Sequence, residues 1–158
     1  MKRLELTYRG TIYPWHCDHM GHMNVMWYTG KFDEASWSLL AQIGFTRTFL
    51  QKQQAGLAAV QQNITYKREL HAGDIITIRS GVLEVQEKTM RLFHEMRNDE
   101  TLEVAAFTIV TGVYMDAVER RASPIPFEIK TRVEELMIDQ NALYWEDTLT
   151  PDTRAEIY

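Results

Sequence analysis

The first regular pattern along the chain is a two-residue alternation between positions 4 and 13. Leu4, Leu6 and Tyr8 fall on one side and Glu5, Thr7 and Arg9 on the other, the signature of a half-buried strand. Pro14 ends it, because a proline has no N–H to give to a ladder. From Val25 the period lengthens. Val25, Tyr28, Phe32, Ala35, Leu39 and Ile43 recur every three or four positions, which predicts a helix that buries one stripe. Asn24 stands where an N-cap belongs. Met23 and Tyr28 occupy the two positions of a hydrophobic staple, and Gly44 follows the last turn as a C-terminal glycine does. Gly30, inside the helix, costs about 1 kcal/mol against alanine, so a close approach by another group is expected there.

Residues 46–54 read as a short polar helix. After Gly56 the alternation returns and persists, predicting strands near 57–67, 74–86, 88–98 and 102–115. The clearest case sets Met90, Leu92, His94 and Met96 against Arg91, Phe93, Glu95 and Arg97. Turn signals stand at 72–74 (AGD) and 98–100 (NDE). The segment SPIPFE at 123–128 leaves the sheet. Residues 127–139 then read as a helix with Phe127, Val133, Leu136 and Met137 on one side. Residues 140–158 are polar apart from aromatics such as Tyr144 and Trp145, and read as an extension that drapes over the surface or a partner.

This order gives an α+β architecture, one long central helix wrapped by a five-stranded antiparallel sheet. Residues 1–139 form one expected domain and 140–158 its C-terminal extension. The sheet's second face and a free edge need cover, which predicts a homo-oligomer. Composition fits: of 158 residues, 45% are hydrophobic and 25% charged, enough for a core without metal or disulfide. The lone Cys17 excludes an internal disulfide. A net charge of -5 argues against a nucleic-acid binder. No apolar leader or run long enough to span a bilayer is present, so a cytoplasmic protein with no membrane partner is expected.

The densest chemistry is the stretch WHCDHMGHMN, residues 15–24. Three readings compete for it. His16, Cys17, Asp18, His19 and His22 are all metal-ligand types, but they crowd into seven positions without the second, distant pair that zinc sites use. No metal is therefore expected. Cys17 beside His19 has no clear third group to orient a nucleophile–base pair. The remaining reading is a loop carrying one working carboxylate, Asp18, with an Asx turn as the plain alternative.

The pattern D-x-x-G-H-M-N-x-x-x-Y, here Asp18, Gly21, His22, Met23, Asn24 and Tyr28, followed by KFDEASWSLLAQIG, resembles the hotdog-fold acyl-CoA thioesterases of the 4-hydroxybenzoyl-CoA thioesterase-like branch. The later ITYKRELHAGDIITI (64–78) resembles that family's second signature, and the likeness covers roughly residues 4 to 130. The resemblance implies the hotdog fold. It also implies a homodimer joined edge to edge through the sheets, often doubled to a homotetramer, and an active site at the subunit interface. It places the catalytic carboxylate at Asp18 and the oxyanion donor at the backbone N–H of Val25. Many relatives carry Asn or His where this chain has Val25, so only the backbone can serve here.

Thioester hydrolysis needs a base or nucleophile and donors for the developing oxyanion. Asp18 supplies the first. The unpaired N–H groups at the start of the helix, at the positive end of its dipole, supply the second. His22 is placed to orient the carboxylate or water, or to protonate the departing thiolate, and Asn24 to assist; loop hydrogen bonds and N-capping are the plain roles of the same two residues. Trp15 and Tyr28 are the candidates for the acyl pocket. Lys67 and Arg68, then Lys88 with Thr89 and Arg91, are candidates for the phosphorylated nucleotide. The expected function is hydrolysis of an acyl-CoA to a carboxylic acid and CoA. No cofactor is expected, because CoA belongs to the substrate. A hotdog-fold enoyl-CoA hydratase or dehydratase, and a non-catalytic acyl-CoA or acyl-carrier binding module, are the alternatives.

Overall fold

Alternation after Gly56 places every second side chain on one face of a sheet, and that face closes over a single long helix. The structure is a computed structural model and describes residues 4–139 and 143. In chain order it runs β1 (Glu5–Thr11), a short 3-10 turn (Pro14–His16), α1 (Val25–Gln42), α2 (Arg47–Gln53), β2 (Ala55–Tyr66), β3 (Ile75–Val85), β4 (Thr89–Asn98), β5 (Val104–Asp116), β6 (Arg121–Ala122) and α3 (Phe127–Val133). The long strands lie in the order β1-β3-β4-β5-β2, so β1 and β2 are the edges. All pairings are antiparallel. The two residues of β6 add a sixth, minor strand against Met115 and Asp116. This is the hotdog fold: a curled antiparallel sheet around α1.

The helix stripe is buried as its period requires. Tyr28, Phe32, Ala35, Leu39 and Ile43 lie inside, while Val25, at the first turn, stays 57% exposed. Phe32 and Ala35 pack with Ile76, Ile78, Met96 and Ala106. Leu39 and Leu40 pack with Val82, Leu92 and, from α3, Ile129 and Val133. Phe32→Ala here would cost about 3–5 kcal/mol. Both staple residues, Met23 and Tyr28, sit in the first of these clusters. Among the described residues nothing beyond the helix's own backbone lies within 4 Å of a Cβ built on Gly30, so they do not make the expected close approach.

The helix expected over 127–139 stops at Val133. Its continuation is captured by β3: Val82 donates its N–H to the Leu136 carbonyl at 2.9 Å, and Ile138 donates to the Val82 carbonyl at 2.9 Å. Met137 thus pairs in parallel with Val82, beyond the reach of β1. Ile138 lies on Gly81, where an added Cβ would meet its Cγ2 at 2.5 Å. It covers Leu83, Phe93, Phe107 and Ile109 on the sheet's outer face, with Leu143 packed alongside. Apart from residue 143, the extension expected at 140–158 lies outside the described residues. Among the described residues no helix is long and apolar enough to cross a membrane.

One polar residue of β4 points inward. His94 is fully buried between serines of α1 and β3: Nε2 lies 2.9 Å from Ser36 Oγ and Nδ1 lies 2.6 Å from Ser80 Oγ. Ser36 spends its hydroxyl proton on the Phe32 carbonyl at 2.9 Å, so His94 must donate through Nε2 and accept through Nδ1. That is the neutral ring, and burial pushes its pKa down to about 3. The folded value lies below the unfolded one, so the unfolded chain binds more protons below about pH 6.5. Stability is then complete above that pH and falls as the pH drops. The urea midpoint should correspond to about 2 kcal/mol less stability at pH 5 than at pH 7. His94→Gln should lower stability at pH 7 and flatten that dependence; an unchanged slope would mean that His94 is not its source.

Candidate active site

The sequence between β1 and α1 folds into a small hairpin. Cys17 and Met23 bridge antiparallel, Asp18 donates its N–H to the His22 carbonyl at 3.1 Å, and Gly21 donates to the Asp18 carbonyl at 3.0 Å. Gly21 turns the chain at φ +84°, a region where a side chain is strained. Two bonds fasten the hairpin. Met23 N–H reaches the Leu70 carbonyl at 2.7 Å, and Asn24 N–H reaches the His16 carbonyl at 2.9 Å. His16 is itself buried, accepts the Tyr13 N–H at Nδ1 and packs edge-on against Trp27.

Asp18 projects from this hairpin toward solvent with both oxygens engaged. Oδ1 accepts the Met20 N–H at 2.9 Å, and Oδ2 accepts Asn24 Nδ2 at 2.8 Å. The Met20 amide first, then Asn24, hold its carboxyl below the usual carboxylate range, and the nearby His22 and His19 act in the same direction. The Asx turn and the chemical candidacy are therefore one geometry. Asn24 works in two directions, because its Oδ1 also accepts the Met26 N–H at 3.0 Å and so caps α1. Trp27 N–H goes to the Asn24 carbonyl at 3.0 Å. No acceptor among the described residues bonds the Val25 N–H. One free donor thus stands at the positive end of an 18-residue helix, one residue from the group that holds the carboxylate.

A cleft of about 800 Å³ opens here. Met20, His22, Val25 and Tyr28 line one end, Tyr66 to His71 the side, and Asn98, Thr101 and Glu103 the far rim. Tyr28 donates its hydroxyl to the Arg68 carbonyl at 3.3 Å and meets Tyr66 edge-on at 5.1 Å. Burial, then Tyr66 and the charges of Glu69 and Asp74, push the Tyr28 hydroxyl far up, so it stays protonated. Arg68 is drawn toward Glu103 at 3.4 Å. The cleft therefore gathers His22, Val25, Tyr28, Lys67 and Arg68 from the sequence candidates. Asp18 does not line it, but is tied to its edge through Asn24.

Three candidates lie elsewhere. Trp15 is 65% exposed and stacks on Tyr13 at 4.3 Å, outside the cleft. Lys88 is exposed, at the β3–β4 turn. Thr89 lines a separate polar recess of about 370 Å³ with Gln61, Asn63, Arg91 and Thr111. The cleft also contains residues not singled out from the sequence: Tyr66, Glu69, Asp74 and Glu103. Tyr66 and Asp74 belong to the second signature and were legible there; Glu69 and Glu103 carry no motif of their own. Among the described residues no group of three or more His, Cys, Asp or Glu is arranged to hold a metal ion.

The tether at Asn24 is testable by itself. Asn24→Ala should lower stability by about 1 kcal/mol through the lost cap. In an NMR titration it should also raise the pKa of the Asp18 carboxyl. Asn24→Ser should restore the cap but not the low pKa. An Asp18 titration identical in all three proteins would show that Asn24 does not hold the carboxylate.

Comparison with known proteins agrees with this architecture. No curated protein matches the chain. Among solved structures, a Staphylococcus aureus protein determined in complex with CoA superposes with a TM-score of 0.79 at 20% identity, over 88% of this chain and 89% of that one. A 1,4-dihydroxy-2-naphthoyl-CoA thioesterase from Synechocystis superposes with a TM-score of 0.74 at 19% identity, over 83% of this chain and 96% of that one. At these identities the likeness is one of fold. The family model of the thioesterase-like superfamily matches residues 12–133, a span that holds the hairpin, α1 and every strand after it, and on that match the chain belongs to the thioesterase-like superfamily.

Proposed function

We propose that the protein is an acyl-CoA thioesterase that converts a thioester and water to a carboxylic acid and free CoA. The observation that carries the reading is the pairing of an ionised Asp18 with the unoccupied Val25 N–H through one carboxamide, Asn24. Asp18 acts as general base toward water or attacks the carbonyl carbon itself. The Val25 N–H receives the oxyanion, and His22 lies next to the departing sulfur. Tyr28 borders the acyl group. Lys67 and Arg68 face the phosphates, with Lys67 the freer of the two because Glu103 competes for Arg68. The reading calls for no metal or cofactor. Membership of the thioesterase-like superfamily supports it, as does the CoA found with the Staphylococcus aureus structure.

A second copy of the chain belongs to this reading. Among the described residues β2 is a 12-residue edge strand paired only with β5, and Val60 in its middle is 61% exposed. Edge strands of this length attract a partner. Antiparallel pairing of two β2 strands about Val60 sets the Tyr66 end of each against the Ala55 end of the other. At that end Ala58, Val113 and Thr89 lie side by side across β2, β5 and β4. Lys88 and Thr89 of one subunit then serve the cleft of the other.

Free-thiol release from a panel of aryl, branched and medium-chain acyl-CoAs tests the activity. Asp18→Asn should lose on the order of a hundredfold or more in kcat. Near-normal turnover in that variant would end the mechanism. Binding without turnover in the wild type would point to a carrier module, and a change in enoyl absorbance without thiol release to a hydratase. Val60→Pro places a proline in the middle of the edge strand and should convert the assembly to monomers by light scattering, with loss of turnover. An active monomer would remove the cross-subunit role of Lys88 and Thr89.

A further inference from the structure

Glu69 follows the end of β2 and faces the cleft between two histidines. Its Oε1 lies 3.7 Å from His22 Nε2 and its Oε2 lies 3.7 Å from His71 Nε2. The other ring nitrogen of His22, Nδ1, faces the Met23 carbonyl at 3.3 Å. A carbonyl only accepts, so Nδ1 carries a proton. Nε2 is the ring nitrogen not engaged by backbone, and it is the one aimed at Glu69. His22 is the more sheltered partner, with 29% of its side chain exposed against 65% for Glu69.

We infer that Glu69 is a positioning residue for His22: it orients the ring and stabilises the imidazolium that protonates the departing thiolate. The inference rests on the hydrolytic reading above. In the step it serves, the oxygen of water bonds to the carbonyl carbon and its proton passes to Asp18. The C–S bond breaks with its electron pair on sulfur, and sulfur takes the proton from His22 Nε2. Asp18 returns its proton through solvent to the neutral imidazole. Around this pair, Asp18 faces His22 from the hairpin, with His19 beside Asp18; His71 faces Glu69 from the β2–β3 connection; and Tyr28 feels Glu69 from α1, with Asp74 beside it.

An exposed ion pair with no catalytic duty contributes little to stability and leaves a pH–rate profile untouched. The duty proposed here moves it. A thiol is already a fair leaving group, so the effect on rate is moderate. Glu69→Gln should lower kcat about tenfold with KM within about twofold, and should shift the alkaline limb of kcat to lower pH. Glu69→Asp should recover part of both. Circular dichroism on each variant identifies any loss of folding, and the Asp variant then carries the test. Wild-type kcat and an unmoved limb in Glu69→Gln, beside an inactive Asp18→Asn, would overturn the role of Glu69 and leave the hydrolase standing. A fully active Asp18→Asn would overturn both.

Discussion

The site depends on a single carboxamide. Asn24 accepts the Met26 N–H with one atom and donates to Asp18 with the other. The first bond ends the helix; the second fixes a carboxylate relative to that end. Neither is strong alone, since a cap contributes about 1 kcal/mol and an exposed carboxylate is well solvated. Their value is geometric. A charge on a loop has no such tether, whereas here it is fixed to the first turn of the central helix. α1 in turn is held by Phe32, Leu39 and Ile43, none of them accessible to solvent. Core packing is thereby transmitted to the position of one pair of oxygens.

Capping consumes donors, and the pattern of consumption creates the site. Asn24 satisfies Met26 and Trp27 and leaves Val25 without an acceptor among the described residues. A side chain at Val25 capable of bonding could have competed for the same space; a valine cannot. Its 57% exposed isopropyl group instead adds an apolar wall beside the donor, where lower local polarity strengthens any hydrogen bond to a developing negative charge.

Sequence legibility followed the range of the interaction. The α1 stripe, its cap and its closing glycine are local, and periodicity exposes them directly. The strands were legible for the same reason, with ends displaced by a residue or two. The helix expected to run on to residue 139 failed at Val133 because its end is decided by Val82, some fifty positions away, whose backbone groups were unmet beyond β1. Trp15 reads as a pocket residue from its neighbours, yet Tyr13, two positions back, stacks on it face to face. Glu69 was unreadable for a third reason: its meaning comes from two histidines, one of which belongs to another part of the chain.

Two histidines show how far position rather than residue type sets the chemistry. His94 and His22 each present one nitrogen to a fixed partner. For His94 the second nitrogen faces a serine hydroxyl in a fully buried setting, and charging the ring there would require a cation without a counterion. The ring stays neutral and its role is to fasten helix to sheet. For His22 the second nitrogen faces a carboxylate at the edge of the open cleft. A counterion stands opposite that nitrogen, which His94 lacks among the described residues. Exchanging the two surroundings would exchange the two roles. The alternation in β4 that buries His94 and the cap that turns the hairpin carrying His22 toward solvent are therefore part of the same division between a dry anchor and a wet, protonatable group.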